Sequence, residues 1–403
     1  MPRLFGRDYR RVTTISGSAL LYALGTSAFW FILPILAEKT FNDLLLVGLI
    51  IAVPNMVSLL FDIPLGRLSD KIGRKGLISI GLLILVLLGF ALSSLRTLPV
   101  FILFMIVFGF ANLLIIVPAR AYVMETTPEN KRSEFFGIFE SLIQIGFTVG
   151  PIIAGYLITD NFNIGLTDTG ILFSLSCLLA FFIILLIQET ITVKEPVLNS
   201  IKTIVKTDWI YLKGLREFKT LRAPGAAILL TTFILIFIDG IIWSMEPLYT
   251  KQGLDATTVG YIMAMFVAPF ILLEAPTGWL ADRVGKTKLF ITGLIIAGIS
   301  LILFGLTTDP TALIILAFTA TAGLAVTSPA LDGLLSDLSA NKMRGNIVGV
   351  WDVAEDSAYI VSPIVGGLIA QIYGIGATFI FIGCLPLIGL PIIYAALKKG
   401  ASK

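Results

Sequence analysis

The 403 residues contain no histidine, so any proton exchange near neutral pH falls to carboxylates, and the first candidates are acids inside apolar runs. Asp239 and Asp356 are the deepest, about 13 and 10 residues into their runs, or roughly 20 and 15 Å at 1.5 Å per helical residue. A charge at such depth costs about 2.5–3.5 kcal/mol on insertion scales. Loss of water also favours the neutral acid, which suits a carboxyl that trades a proton for a cation. Asp352 and Glu355 stand at i−4 and i−1 from Asp356 and extend it into an acidic edge. The competing role for these acids is internal hydrogen bonding, to Gln144 or a nearby hydroxyl. Trp30, Phe31, Trp243 and Trp351 share the runs. Such rings suit lipophilic cations through cation–π contact, and Trp at a helix end equally suits the membrane interface.

A second group of charges lies nearer the run ends: Asp62, Glu140, Glu274, Asp332 and Asp352, with Arg120 at the same level. Arg120 and Asp332 have opposite sign, and a salt bridge between them would close one mouth, so gating is expected of this group; Glu140 and Asp352 also count among the proton candidates. Glu246 falls at the opposite end of its run, the expected external mouth. Cys177 and Cys384 show neither pairing nor metal spacing, and without imidazole neither a metal site nor a nucleophile–base pair is expected. No cofactor and no enzyme activity follow.

These side chains must be positioned by membrane helices. The composition is 57% hydrophobic and 14% charged, with a mean hydropathy of +0.96, too apolar for a soluble globule. Twelve runs of spanning length occur near 13–36, 44–65, 76–95, 98–122, 135–158, 169–187, 226–248, 258–277, 288–307, 311–335, 346–369 and 376–397. They lack the alternation of barrel strands, and the first is too long for a cleaved leader and is read as retained. All but Lys39, Arg96 and Lys251 of the 29 basic residues fall on the side of the N-terminus, which places both termini in the cytoplasm. The basic residues therefore report topology, and nucleic acid is excluded as a partner.

The runs form two registers. Asp70 maps to Asp282, Gly73 to Gly285, Asp43 to Asp255, Pro151 to Pro363 and Gly155 to Gly367, all at an offset of 212. A six-helix unit followed by a parallel copy follows the repeat logic of a secondary transporter, with a site between halves that rock around it. The expected fold is all-α and polytopic, twelve transmembrane helices in two six-helix pseudo-repeats. Its parts are 1–188, a cytoplasmic linker 189–225 and 226–403. Leu198, Ile201, Ile204, Leu212 and Leu215 recur at helical spacing in the linker, as an interfacial helix would require.

The stretch GRLSDKIGRK, Gly66 to Lys75, and its copy GWLADRVGKT, Gly278 to Thr287, resemble the signature loop of the major facilitator superfamily, G-x-L-a-D-r-x-G-r-k. The resemblance implies an inner gate latch. The glycine lets the second helix press on the eleventh, the aspartate faces a helix N-terminus, and a basic residue pairs with an acid ending the fourth helix. Those roles fall to Gly66, Asp70, Arg74 and Glu125, and in the second half to Gly278, Asp282, Lys286 and Asp337. GFTVGPIIAG, with Gly146, Gly150, Pro151 and Gly155, resembles the antiporter motif of the fifth helix, with Ala154 at one glycine position. Close helix packing explains the same small residues, and both readings stand. Leu24 to Ala37 resembles a further drug-exporter pattern, with Phe31 where a proline is usual. Met105 occupies the place of an arginine common in drug and proton antiporters.

The resemblance implies a twelve-helix transporter closest to the drug:proton antiporter type. It would be a monomer in a plasma or inner membrane, exporting hydrophobic or cationic small molecules in exchange for protons. A proton-coupled symporter or facilitator for a polar metabolite, and a lipid or lysolipid exporter, are the alternatives.

Overall fold

The computed structural model describes residues 7–158, 161–191, 223–339 and 344–401. Most of the linker, including its helical pattern, lies outside the described residues. Thirteen α-helices follow in order: α1 (Arg7–Phe41), α2 (Leu44–Ile72), α3 (Arg74–Ala91), α4 (Leu98–Thr126), α5 (Arg132–Leu157), α6 (Phe162–Ile184), α7 (Ala223–Met245), α8 (Ala256–Met265), α9 (Ala268–Val284), α10 (Lys286–Leu306), α11 (Pro310–Ser339), α12 (Arg344–Tyr373) and α13 (Ile375–Ala401). Eleven described segments are long and apolar enough to cross a membrane, and Ile375–Pro391 adds a shorter apolar helix. Each expected run thus has a helical counterpart. Leu87, Phe90, Leu103, Phe182 and Leu186 are more than half exposed, as side chains facing lipid rather than water should be.

The eighth run is two helices, not one. Pro269 has no amide hydrogen and its ring conflicts with the carbonyl four residues back. The chain tightens there: Phe266 N–H bonds to Met263 O and Val267 N–H to Ala264 O, both at 3.1 Å. Other prolines, Pro34 and Pro118 among them, stay inside continuous helices, so the break is local to this run.

Helix starts obey the repeat. Asp43 accepts the N–H of Leu46 at 3.0 Å and Asp255 that of Thr258 at 2.9 Å, so each half begins its second helix with an aspartate taking up an orphan donor. Asn161 does the same for α6, accepting from the N–H groups of Asn163 and Ile164.

The chain groups into two compact units. One holds the residues up to Leu33 and those from Val53 through α6; the other holds Pro34–Ala52 and α7 through α13. Within the second unit, Leu44 N–H donates to Gln371 Oε1 at 2.7 Å. A Cβ on Gly48 would stand 2.0 Å from the Pro363 carbonyl oxygen, an approach that only glycine permits.

Candidate functional site

Asp239 stands midway along the apolar segment Leu229–Thr250, half-buried. From α12, Tyr359 donates its hydroxyl to Asp239 Oδ2 at 2.8 Å. Trp243, one turn further along α7, also hydrogen-bonds the carboxylate. The register of α7 against α12 is set one residue away. A Cβ on Gly240 would lie 2.1 Å from Ser362 Oγ and 3.3 Å from the Tyr359 ring, so the helices touch there backbone to side chain. A carboxylate held between a phenol and an indole presents negative charge beside aromatic faces, which suits an organic cation.

Sequence reasoning selected Asp239 and Trp243 and missed Tyr359. The available signal was its position three residues after Asp356, on the same side of α12. Asp356 and Glu355 are themselves half-buried on α12, and each has an interaction partner. Trp351 and Asp352 lie on α12 with side chains outside the described residues. Trp30 is half-buried and meets Phe108 edge-on at 5.5 Å, whereas Phe31 is 0% exposed.

The tract between α2 and α3 forms a compact charge cluster. Arg74 is buried, and its guanidinium donates to Asp70 Oδ1 and Ser69 Oγ at 2.6 Å and to both oxygens of Glu125. Asp70 and Glu125 remain 64% and 39% exposed, so the cation is desolvated and its partners are not. The sequence reading missed three participants. Glu189 accepts the backbone N–H of Arg74 at 2.9 Å, satisfying an orphan donor at the start of α3. Thr190 donates to Glu125 Oε2 at 2.8 Å. Lys75 donates to the carbonyls of Leu185 and Ile187 at the end of α6. A Cβ at Gly66 would meet Val117 Cγ1 at 3.6 Å, an ordinary contact.

In the second copy, Lys286 opens α10 and has a partner. Gly278 and Asp282 on α9 and Asp337 on α11 have helix positions only, and the same holds for Glu274 and Asp332. Arg120 Nε lies 3.2 Å from Glu140 Oε1 and also acts electrostatically on the half-buried Asp62. A half-exposed pair of this kind contributes about 0–1 kcal/mol. The fifth-helix motif is a packing face. Cβ atoms on Gly146 and Gly150 would fall 2.6 and 2.5 Å from the carbonyl oxygens of Leu20 and Leu24, and Ser27 donates to Gly146 O at 3.1 Å. Pro151 and Gly155 are buried beside them.

The family model described as Major Facilitator Superfamily matches residues 15–238 and 228–403. An MFS-type transporter of Methanocaldococcus jannaschii is 24% identical over 407 residues, 98% of this chain and 100% of its own length. Multidrug resistance protein MdtG of Escherichia coli O9:H4 is 28% identical over 348 residues, 83% of this chain and 80% of its own. Among solved structures, a POT family transporter in complex with a thioalcohol-conjugated peptide superposes with a TM-score of 0.76 at 15% identity, covering 96% of each chain. A bacterial homologue of the human lysosomal transporter Spinster gives 0.74 at 13%, covering 97% of each. Those two likenesses concern the fold alone. With its two repeat halves each matched by the family model, this multi-pass membrane protein belongs to the Major Facilitator Superfamily of transporters.

Proposed function

We propose that the chain is a secondary efflux transporter that exchanges protons for hydrophobic or cationic small molecules by alternating access. The observation that carries this reading is the Asp239 carboxylate, mid-span on α7, receiving the Tyr359 hydroxyl at 2.8 Å from α12. A proton and an organic cation both neutralise that carboxylate. One site therefore serves two ligands that exclude each other, which is the requirement for exchange. The multidrug resistance relatives support the cargo class, and the positive-inside bias supports a cell membrane with both termini in the cytoplasm. The working parts we assign are halves 1–188 and 226–403 of a monomer, joined by the linker. Arg74, Asp70 and Glu125 serve as an inner latch, with Gly278, Asp282, Lys286 and Asp337 as its copy.

The test is proton release from purified protein in weakly buffered detergent as tetraphenylphosphonium is added. Saturable release in wild type that is lost in Asp239→Asn and kept in Asp356→Asn supports the reading. Binding of the probe with no release in any protein defeats exchange and points to a facilitator or a neutral cargo.

A further inference from the structure

The most enclosed acid in the described chain is not Asp239. Glu246, the first residue of the short 3₁₀ segment that follows α7, is 0% exposed, and neither of its carboxyl oxygens has a hydrogen-bond partner among the described residues. Its neighbour Tyr249 is 1% exposed with a hydroxyl that is likewise unpartnered. The Tyr249 ring meets Phe304 of α10 at 5.3 Å and Phe379 of α13 at 5.6 Å, both edge-on, and Phe266, just past α8, closes on Phe304 at 5.1 Å. Tyr249 thus belongs to an aromatic cluster built with three other elements.

Buried polar groups without partners are rare enough in folded proteins that each needs a reason. An ionised carboxylate at this point has no donor among the described residues, and it sits at the C-terminal end of α7, where the helix carries partial negative charge. Among the described residues, the titratable side chain that acts on the same spot is the Tyr249 phenol, and no charged group from the packed helices does so. The species compatible with such a site is the neutral acid, carrying its proton. A metal cation would require several oxygen ligands, more than one carboxyl and one phenol supply, and an organic cation has no room in a fully enclosed site. The proton is the ligand that fits. Glu246 follows Asp239 by seven residues, just past the end of α7, roughly 10 Å at 1.5 Å per helical residue.

We infer that Glu246 is a second proton-binding residue of the transport cycle, loaded in this conformation and distinct from the cation site at Asp239. This rests on the exchange reading above. Uptake and loss of the proton at the Glu246 carboxyl oxygen require the packing that buries it to open, so occupancy changes with conformation rather than with substrate contact.

The experiment uses full-length protein in lipid membranes. Infrared spectra at neutral pH are expected to contain a carboxylic-acid carbonyl band that persists in Asp239→Asn and is lost in Glu246→Gln. In proteoliposomes, tetraphenylphosphonium transport by wild type is expected to accelerate under an imposed pH gradient, with that response lost in Glu246→Gln and regained in Glu246→Asp. Labelling of wild type by dicyclohexylcarbodiimide, located by peptide mass spectrometry, is expected on Glu246; it needs no variant and so holds even if Glu246→Gln fails to fold. No band lost in Glu246→Gln, or no label on Glu246, overturns the inference. A lost band with an unchanged gradient response overturns it as well, leaving Glu246 a structural acid, while the exchange reading survives. Wild type indifferent to the gradient defeats the exchange reading itself.

Discussion

Gly73 and Gly285, 212 positions apart, share a backbone conformation that side chains avoid, with φ of 107° and 101°. Each ends the charged turn of its half immediately before a helix, α3 or α10. A side chain in this region costs about 1–3 kcal/mol. At Gly285 nothing among the described residues lies within 4 Å of an added Cβ, so the cost there is conformational and not steric. Gly285→Ala is therefore expected to lower stability by about 1–3 kcal/mol without disturbing any neighbour. Thermal unfolding in detergent measures it, and a midpoint equal to wild type would mean the turn relaxes freely.

The Arg74 cluster predicts unequal losses. Arg74 is buried whereas Asp70 is 64% exposed, so removing the exposed partner forfeits little and removing the cation strands the rest. Asp70→Asn should cost about 0–1 kcal/mol. Arg74→Gln leaves Glu125 and Asp70 without the guanidinium and should cost about 3 kcal/mol, at the low end for breaking a buried pair because Glu125 keeps some water. Arg74→Lys should recover only part, since an ammonium cannot reproduce the fork that reaches Glu125, Asp70 and Ser69 together. The reverse ranking in unfolding midpoints would refute this arrangement.

How much of this could be read from the chain alone depended on the range of the interaction. Spans and repeat were legible because they rest on hydropathy and residue type, which each residue carries by itself. The charged tract and Glu125 were legible through a motif. Glu189, Thr190 and Tyr359 were not, because their roles come from contacts between residues separated by 65 to 120 positions, which no local pattern records. Glu246 was placed at an open mouth because it ends a run. Its burial, 0% exposed, is a product of tertiary packing, which its position in the run does not record.

The contact between Gly240 and Ser362 gives a paired test. Ser362 Oγ is buried without a partner, so Ser362→Ala removes an unsatisfied hydroxyl and should be neutral or stabilising. Gly240→Ala places a methyl 2.1 Å from that oxygen and should destabilise by about 1–3 kcal/mol through overpacking. The double variant should recover part of the loss, since the Cβ of residue 362 remains 3.2 Å away. Strict additivity across the cycle would mean that the two positions do not meet.

Asp255 offers a pH signature outside the membrane spans. Its side chain accepts from the hydroxyl and the N–H of Thr258 at 2.7 and 2.9 Å, and these bonds, the hydroxyl first, hold its carboxyl below the usual aspartate range. A carboxyl depressed in the folded state contributes stability above its unfolded value, about 3.9, and the contribution is lost as pH falls through the lower folded value. Wild type should therefore lose this increment below about pH 4, as protonation removes the charge at the start of α8. Asp255→Ala should cost about 1 kcal/mol at neutral pH, the usual value of a lost cap, and should merge with wild type in acid. Unfolding midpoints between pH 7 and pH 3 decide the matter, and a difference that stayed constant across the range would show that the aspartate does not act through its charge.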